Sequence, residues 1–289
     1  MKPPASRPNR RPPLHLTSLT NPRVKDTVRL RQRSHRDAAN LMLIEGYREI
    51  KRALDNGYRP GSIFTCTEFY MGENEATLVE RACQSGAEHF SCTPDVFAKL
   101  SARDRPDGLL AVGPQIRLRL ADLKLPSDAL VVVAEAIEKP GNLGTILRSA
   151  DAAAAHAVIV CDRCTDLNNP NVVRASIGTL FVLPVVEATT DEAIAFLRER
   201  SFTMLAATPH ATELYTAADM TGPVAIVVGS EQYGLSRTWL TAADRPVRIP
   251  MLGQCDSLNV SAATTILLFE AARQRIALDP AKVPPPHEH

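Results

Sequence analysis

Residues 129–150 read ALVVVAEAIEKPGNLGTILRSA. The run Ala129–Ala134 is apolar at every position, without the alternation of a strand that shows one face to water. Such a run predicts a strand buried on both faces, as in a parallel sheet covered by helices. Pro140, Gly141 and Asn142 then turn the chain into a helix carrying Arg148. Further apolar runs follow at Ala157–Cys161, Leu180–Val186, Phe202–Ala206, Val224–Val228 and Val247–Ile249, with helical stretches between them. The last helix, Val260–Ile276, carries Val260, Ala263, Leu267 and Ala271 on one side, an ordinary buried stripe. Residues 129–277 are therefore expected to form an α/β domain on a parallel sheet.

Residues 14–113 alternate helix and strand in shorter pieces and predict a smaller α/β sandwich. Asn21-Pro22 reads as an N-cap with proline at the first helical position. The helix it opens is expected to carry Lys25, Arg29, Arg33 and Arg36 on one face. The irregular stretch 114–128 reads as a linker, and the Pro-rich ends 1–13 and 278–289 as disordered tails.

The net charge of +1 conceals an asymmetry. Residues 1–60 hold 14 Lys plus Arg against 5 Asp plus Glu, and the rest of the chain 19 against 27. A basic N-terminal part on a near-neutral chain points to a polyanion such as RNA. No apolar run is long enough for a membrane span and the first residues lack a secretory pattern, so a cytoplasmic protein is expected. The six cysteines lack paired ligand spacing, Cys161-x-x-Cys164 being the single close pair, and no metal is expected.

Three segments place glycines and polar residues directly after a strand, where open α/β sheets hold their ligands. They are 138–150 with Asn142, Gly144 and Arg148, 229–236 with Gly229, Glu231 and Gly234, and 249–261 with Ile249, Ser257, Leu258 and Asn259. Singly, each also reads as a plain turn. A strand, a Gly141-x-x-Gly144 turn and a helix would also suit a nicotinamide dehydrogenase, but the full glycine fingerprint of that fold is missing.

Taken together and in this order, the three segments resemble the SpoU/TrmH branch of the SPOUT methyltransferases. Arg174-Ala-Ser176-x-Gly178 fits the same pattern, while Ser18–Pro22 with Ile44-Glu-Gly46 look like the ribosomal-protein-like substrate domain many members carry. The resemblance implies a deep trefoil knot in the C-terminal domain, bent S-adenosylmethionine held by Gly229, Ile249 and Leu258, and methylation of an RNA ribose 2′-hydroxyl. The two-domain layout resembles enzymes of large-subunit ribosomal RNA, including antibiotic-resistance types. A tRNA 2′-O-methyltransferase and a catalytically inactive RNA-binding protein are the alternatives.

Family members are generally homodimers whose active site is completed across the interface. The resemblance puts Arg148 at the catalytic centre. A guanidinium is not deprotonated in a protein, so a phosphate-gripping role is expected for it. Asn142, Ser257 and Asn259 are candidates for orienting the hydroxyl. Glu231 is either a proton relay or the partner of an arginine. Lys25, Arg29, Arg33 and Arg36 would hold the RNA, with Arg10 and Arg11 adding nonspecific attraction.

Overall fold

The computed structural model describes residues 12–283 and 285. The chain divides into two compact units, Met1–Gln115 and Ile116–His289. In the first, β1 (Leu14–Leu16), β4 (Glu88–Cys92), β3 (Ser62–Thr65), β5 (Leu109–Pro114) and β2 (Leu41–Glu45) form a mixed sheet in that order. The first three run parallel, and β5 is antiparallel to β3 and β2. Val24 of α1 (Pro22–Arg29) and Val96, Phe97 and Leu100 of α5 (Pro94–Leu100) share a core with Phe64, Phe90 and Leu110 of the sheet. Helices α3 (Tyr47–Asp55) and α4 (Glu75–Gln84) pack on the sheet at β2, β3, β4 and β5.

The basic stripe expected on one helix is broken. The Asn21 side chain does cap α1, accepting from the Arg23 amide at 2.9 Å, with Pro22 at the first position. The helix nevertheless ends at Arg29, the extended Gln32 follows, and α2 (Arg33–Ala39) begins. Arg36 is fully buried; its Nη1 donates to the carbonyls of Leu30 (2.8 Å) and Arg31 (2.7 Å). It therefore satisfies carbonyls just past the end of α1, where a cation is electrostatically favoured, and belongs to the fold rather than to an RNA face. Arg36→Ala takes this donor from the buried Leu30 carbonyl and the partly buried Arg31 carbonyl and is expected to cost the first unit about 2–3 kcal/mol. A fall in urea midpoint with an unaltered slope would record it.

The second unit is built on seven parallel strands in the order β10 (Glu213–Leu214), β12 (Arg245–Arg248), β9 (Thr203–Ala207), β11 (Val224–Val228), β6 (Leu130–Glu135), β7 (Ala157–Cys161) and β8 (Val185–Ala188). Every residue of β6, β7 and β11 is buried, as uninterrupted apolar runs require of central strands. Val131, Val133, Ile159, Met204 and Val227 share a core with Leu197 of α8 (Thr190–Glu199) and Trp239 of α9 (Arg237–Ala242). Helix α6 (Pro140–Ala152) packs between α7 (Pro170–Ala175) and α10 (Val260–Leu278). Gly141 and Gly144 lie inside α6, so the glycine turn of the dehydrogenase reading does not form.

The expected strand Leu180–Val186 is displaced. Ile177 and Gly178 both take positive φ, Thr179–Phe181 forms a 3-10 turn, and the strand starts only after Pro184. Within the stretch 114–128 the units divide at Gln115 and Ile116, and the remainder packs on the second unit: Leu118 bridges Val186 and Leu123 joins the core. Helix α10 runs to Leu278, and Pro280–Lys282 forms a 3-10 turn capped by Asp279, so residues 278–282 are not a disordered tail. The rest of that expectation (284 and 286–289) and the N-terminal tail with Arg10 and Arg11 (1–11) lie outside the described residues.

Candidate active site

The three polar segments converge on one carboxylate. Glu231 Oε2 accepts from Lys139 Nζ at 2.6 Å and Oε1 from Asn142 Nδ2 at 2.8 Å, while Asn259 Nδ2 also donates to Oε1. Asn259 Nδ2 reaches Asn142 Oδ1 as well, at 3.2 Å. The other end of its amide caps α10: Oδ1 accepts from the Ser261 amide at 3.0 Å and the Ser261 hydroxyl at 2.6 Å. One residue from each segment thus forms a single knot of hydrogen bonds. The lysine contact first, then those from the Asn142 side chain and the Val260 amide, hold the Glu231 carboxyl below its ordinary range. Its cationic partner is a lysine, not the arginine considered from the sequence.

Beside this cluster lies a cleft of about 880 Å³. It opens at the carboxyl ends of β9, β11 and β12, where open α/β sheets hold their ligands. Gly229, Ile249, Leu258, Ser257 and Glu231 all line it. Ser257 forms no hydrogen bond among the described residues, and Leu258 is 39% exposed, an apolar side chain without cover.

Gly229 also answers to a constraint within the fold. A Cβ there would overlap the Gly234 carbonyl and the Leu235 amide. The loop after β11 folds back on itself, with Ser230 bridged to Gly234, and Gly234 takes φ +66°. Gly229 is needed so that the loop can close, and the closed loop then forms one wall of the cleft. Gly144 answers to the same constraint elsewhere, since a Cβ would overlap Ala175 of α7 and come within 2.8 Å of the Ser176 amide.

Arg148 stands apart. It is exposed on α6, whose Leu143, Ile146, Leu147 and Ala150 are buried. It does not line the cleft, and it forms no hydrogen bond or ion pair among the described residues. Of the expected RNA-binding residues, Lys25, Arg29 and Arg33 are exposed, on two helices; Arg29 pairs with Asp26 at 3.1 Å and Arg33 with Asp37 at 3.4 Å. Sequence reasoning missed Lys139 and Glu135. Glu135 is buried at the end of β6 and accepts from the Ser236 amide at 2.8 Å, anchoring the far end of the 229–236 loop. A carboxylate ending an otherwise apolar strand was the available signal.

Residues 129–269 match the SpoU rRNA methylase family, and residues 21–111 match an MRM3-like substrate-binding domain. The 23S rRNA (uridine(2479)-2′-O)-methyltransferase of Streptomyces viridochromogenes is 31% identical over 88% of this chain and 90% of its own. The chain belongs to the SpoU family. Among solved structures, an RNA 2′-O ribose methyltransferase superposes with a TM-score of 0.81 at 42% identity, covering 91% of this chain and all of the other. An AdoMet-bound rRNA methyltransferase from Sinorhizobium meliloti gives 0.82 at 32%, covering 90% of this chain and 97% of that one. SpoU membership replaces the dehydrogenase reading. Among the described residues no helix is long and apolar enough to cross a membrane, and no cluster of three or more potential metal ligands occurs.

Proposed function

We propose that this protein transfers the methyl group of S-adenosylmethionine to a ribose 2′-hydroxyl of large-subunit ribosomal RNA. The observation that carries the proposal is the meeting of Asn142, Glu231 and Asn259 beside a cleft lined by Gly229, Ile249 and Leu258, in a chain similar along its length to 23S rRNA 2′-O-methyltransferases. The cleft suits the cofactor. Its volume falls within the roughly 300–1,000 Å³ that holds such ligands. Ile249 and Leu258 offer apolar surface for a purine, and the closed 229–236 loop offers backbone groups.

When bound, S-adenosylmethionine supplies an electrophilic methyl on a positively charged sulfur. The chain's own task is to aim the ribose oxygen and manage its charge. Arg148 grips the phosphate beside the target ribose with its fork of donors. Ser257, with no hydrogen-bond partner among the described residues, is available to the hydroxyl, and Asn142 and Asn259 are held by Glu231. A carboxylate kept below its usual range by Lys139 is a poor proton acceptor, so Glu231 acts as the anchor of the two amides. The reading brings with it the trefoil knot, with α10 as the threaded segment, and a homodimer in which the exposed Arg148 serves the partner's cleft. Methylation of 23S rRNA by the purified chain, mapped as a block to ribose-specific cleavage, tests the activity; transfer to tRNA alone would overturn the choice of substrate.

Lys25, Arg29 and Arg33 are proposed to hold RNA phosphates. Exposed pairs such as those of Arg29 and Arg33 are worth little and exchange readily for a phosphate. Replacing all three residues with Ala is expected to flatten the salt dependence of RNA binding by about one log–log unit per lost contact. Cofactor affinity, measured on the same preparation, is expected to stay unchanged. An unaltered salt slope would remove these residues from the interface.

A further inference from the structure

The cleft contains an arginine and an aspartate that the fold does not use. Arg248 ends β12, half-buried, one residue before Ile249. Arg245 on the same strand is paired with Glu213, whereas Arg248 makes no hydrogen bond or ion pair among the described residues. Asp256, in the loop that leads to α10, lines the same cleft and is equally without a partner. The two do not pair with each other. Opposite charges lining one cavity and held apart favour a ligand that carries both charges itself, because each then gains a counter-charge as water leaves.

Gly229, Ile249 and Leu258 supply backbone and apolar surface. That set suits adenosine and leaves an amino-acid end without a counter-charge. We propose that Arg248 binds the α-carboxylate, and Asp256 the α-ammonium, of the methionine end of the cofactor, so that Arg248 determines specificity for ligands that keep this end. An arginine presents two parallel donors matched to a carboxylate's two oxygens. An RNA phosphate would suit Arg248 but leave Asp256, elsewhere in the same lining, without a counter-charge; a zwitterion satisfies both. The other carboxylate of the lining, Glu231, is already engaged by Lys139. The assignment rests on the reading of this cleft as the cofactor site.

Calorimetry on the full chain separates the possibilities, using S-adenosylhomocysteine and 5′-methylthioadenosine, which keeps the adenosine and sulfur but lacks the amino-acid end. Wild type is expected to bind the former at least about tenfold more tightly, in keeping with charge-assisted hydrogen bonds. In Arg248→Ala and Arg248→Gln that preference should vanish while 5′-methylthioadenosine binding is unchanged; Asp256→Asn should lose part of it. Because Arg248 has no partner among the described residues, both variants are expected to melt like wild type. Equal weakening of both ligands would make Arg248 a structural residue and overturn the assignment. So would unchanged binding of both ligands accompanied by lost affinity for an rRNA fragment. A wild-type chain that binds neither ligand overturns the cofactor reading itself, and this assignment with it.

Discussion

Gly229→Val is expected to abolish measurable S-adenosylmethionine binding, with a loss of about a hundredfold or more in affinity, while RNA binding by the first unit persists. The reason is steric. The backbone at Gly229 does not take positive φ, so the substitution is not opposed by conformation, but the new Cβ meets the Gly234 carbonyl and the Leu235 amide. Backbone cannot give way as a flexible side chain can, so the loop must open. Opening it displaces the wall of the cleft and also Glu231, two residues on, which holds Asn142 and Asn259. Gly229→Ala, which adds the same Cβ without branching, should already show most of the effect. Equilibrium dialysis with labelled cofactor measures it, and normal binding by Gly229→Val would place the cofactor elsewhere. Overpacking here is expected to destabilise the second unit by about 1–3 kcal/mol. A retained two-state melt therefore accompanies the measurement, to separate a lost cleft from a lost fold.

Much of the second unit was legible because its central strands are buried on both faces. Ala129–Ala134 and Val224–Val228 admit no solvent-facing register, so their runs read the same in sequence and in structure. The strand near 180 was misplaced because apolar content outweighed local backbone chemistry. Pro184 has no amide to donate and Ile177-Gly178 reverse the chain, so Leu180 and Phe181 are buried or half-buried in a turn rather than in the sheet. Arg36 was misread for a related reason. Spacing along an assumed helix says which residues share a face only if the helix continues, and this one ends at Arg29.

The site was legible in its parts and not in its assembly. Asn142, Glu231 and Asn259 each stood out by position after a strand, but 89 and 28 residues separate the consecutive members, and only the sheet order brings them together. Lys139 gave no signal of its own, since an exposed lysine beside a proline is ordinary in sequence. Its contact with Glu231 nevertheless supports the proposed anchor role over a relay. Gly229 stands out in sequence only through the resemblance, whereas the structure shows a constraint that spacing does not reveal: the loop's own backbone approaches it.

Two inactive proteins, Arg148→Ala and Asn259→Ala, are expected to regain activity when mixed. Arg148 points away from the buried face of α6 and lies outside the cleft of its own chain, whereas Asn259 is fixed at the start of α10 by Ser261 and bound to Glu231. If the arginine serves the partner's cleft, a dimer of one chain of each kind holds one site with both residues intact and one with both missing. Unfolding and refolding an equal mixture makes about half the dimers hybrid under two-fold symmetry. With one working site of two in each hybrid, about a quarter of wild-type methyl transfer should return. A site complete within one chain predicts no recovery, because every chain in the mixture carries a defect. Native mass spectrometry counts the hybrids independently of activity. Hybrids present without regained methyl transfer would return Arg148 to its own subunit, where it would have to move to reach the cleft.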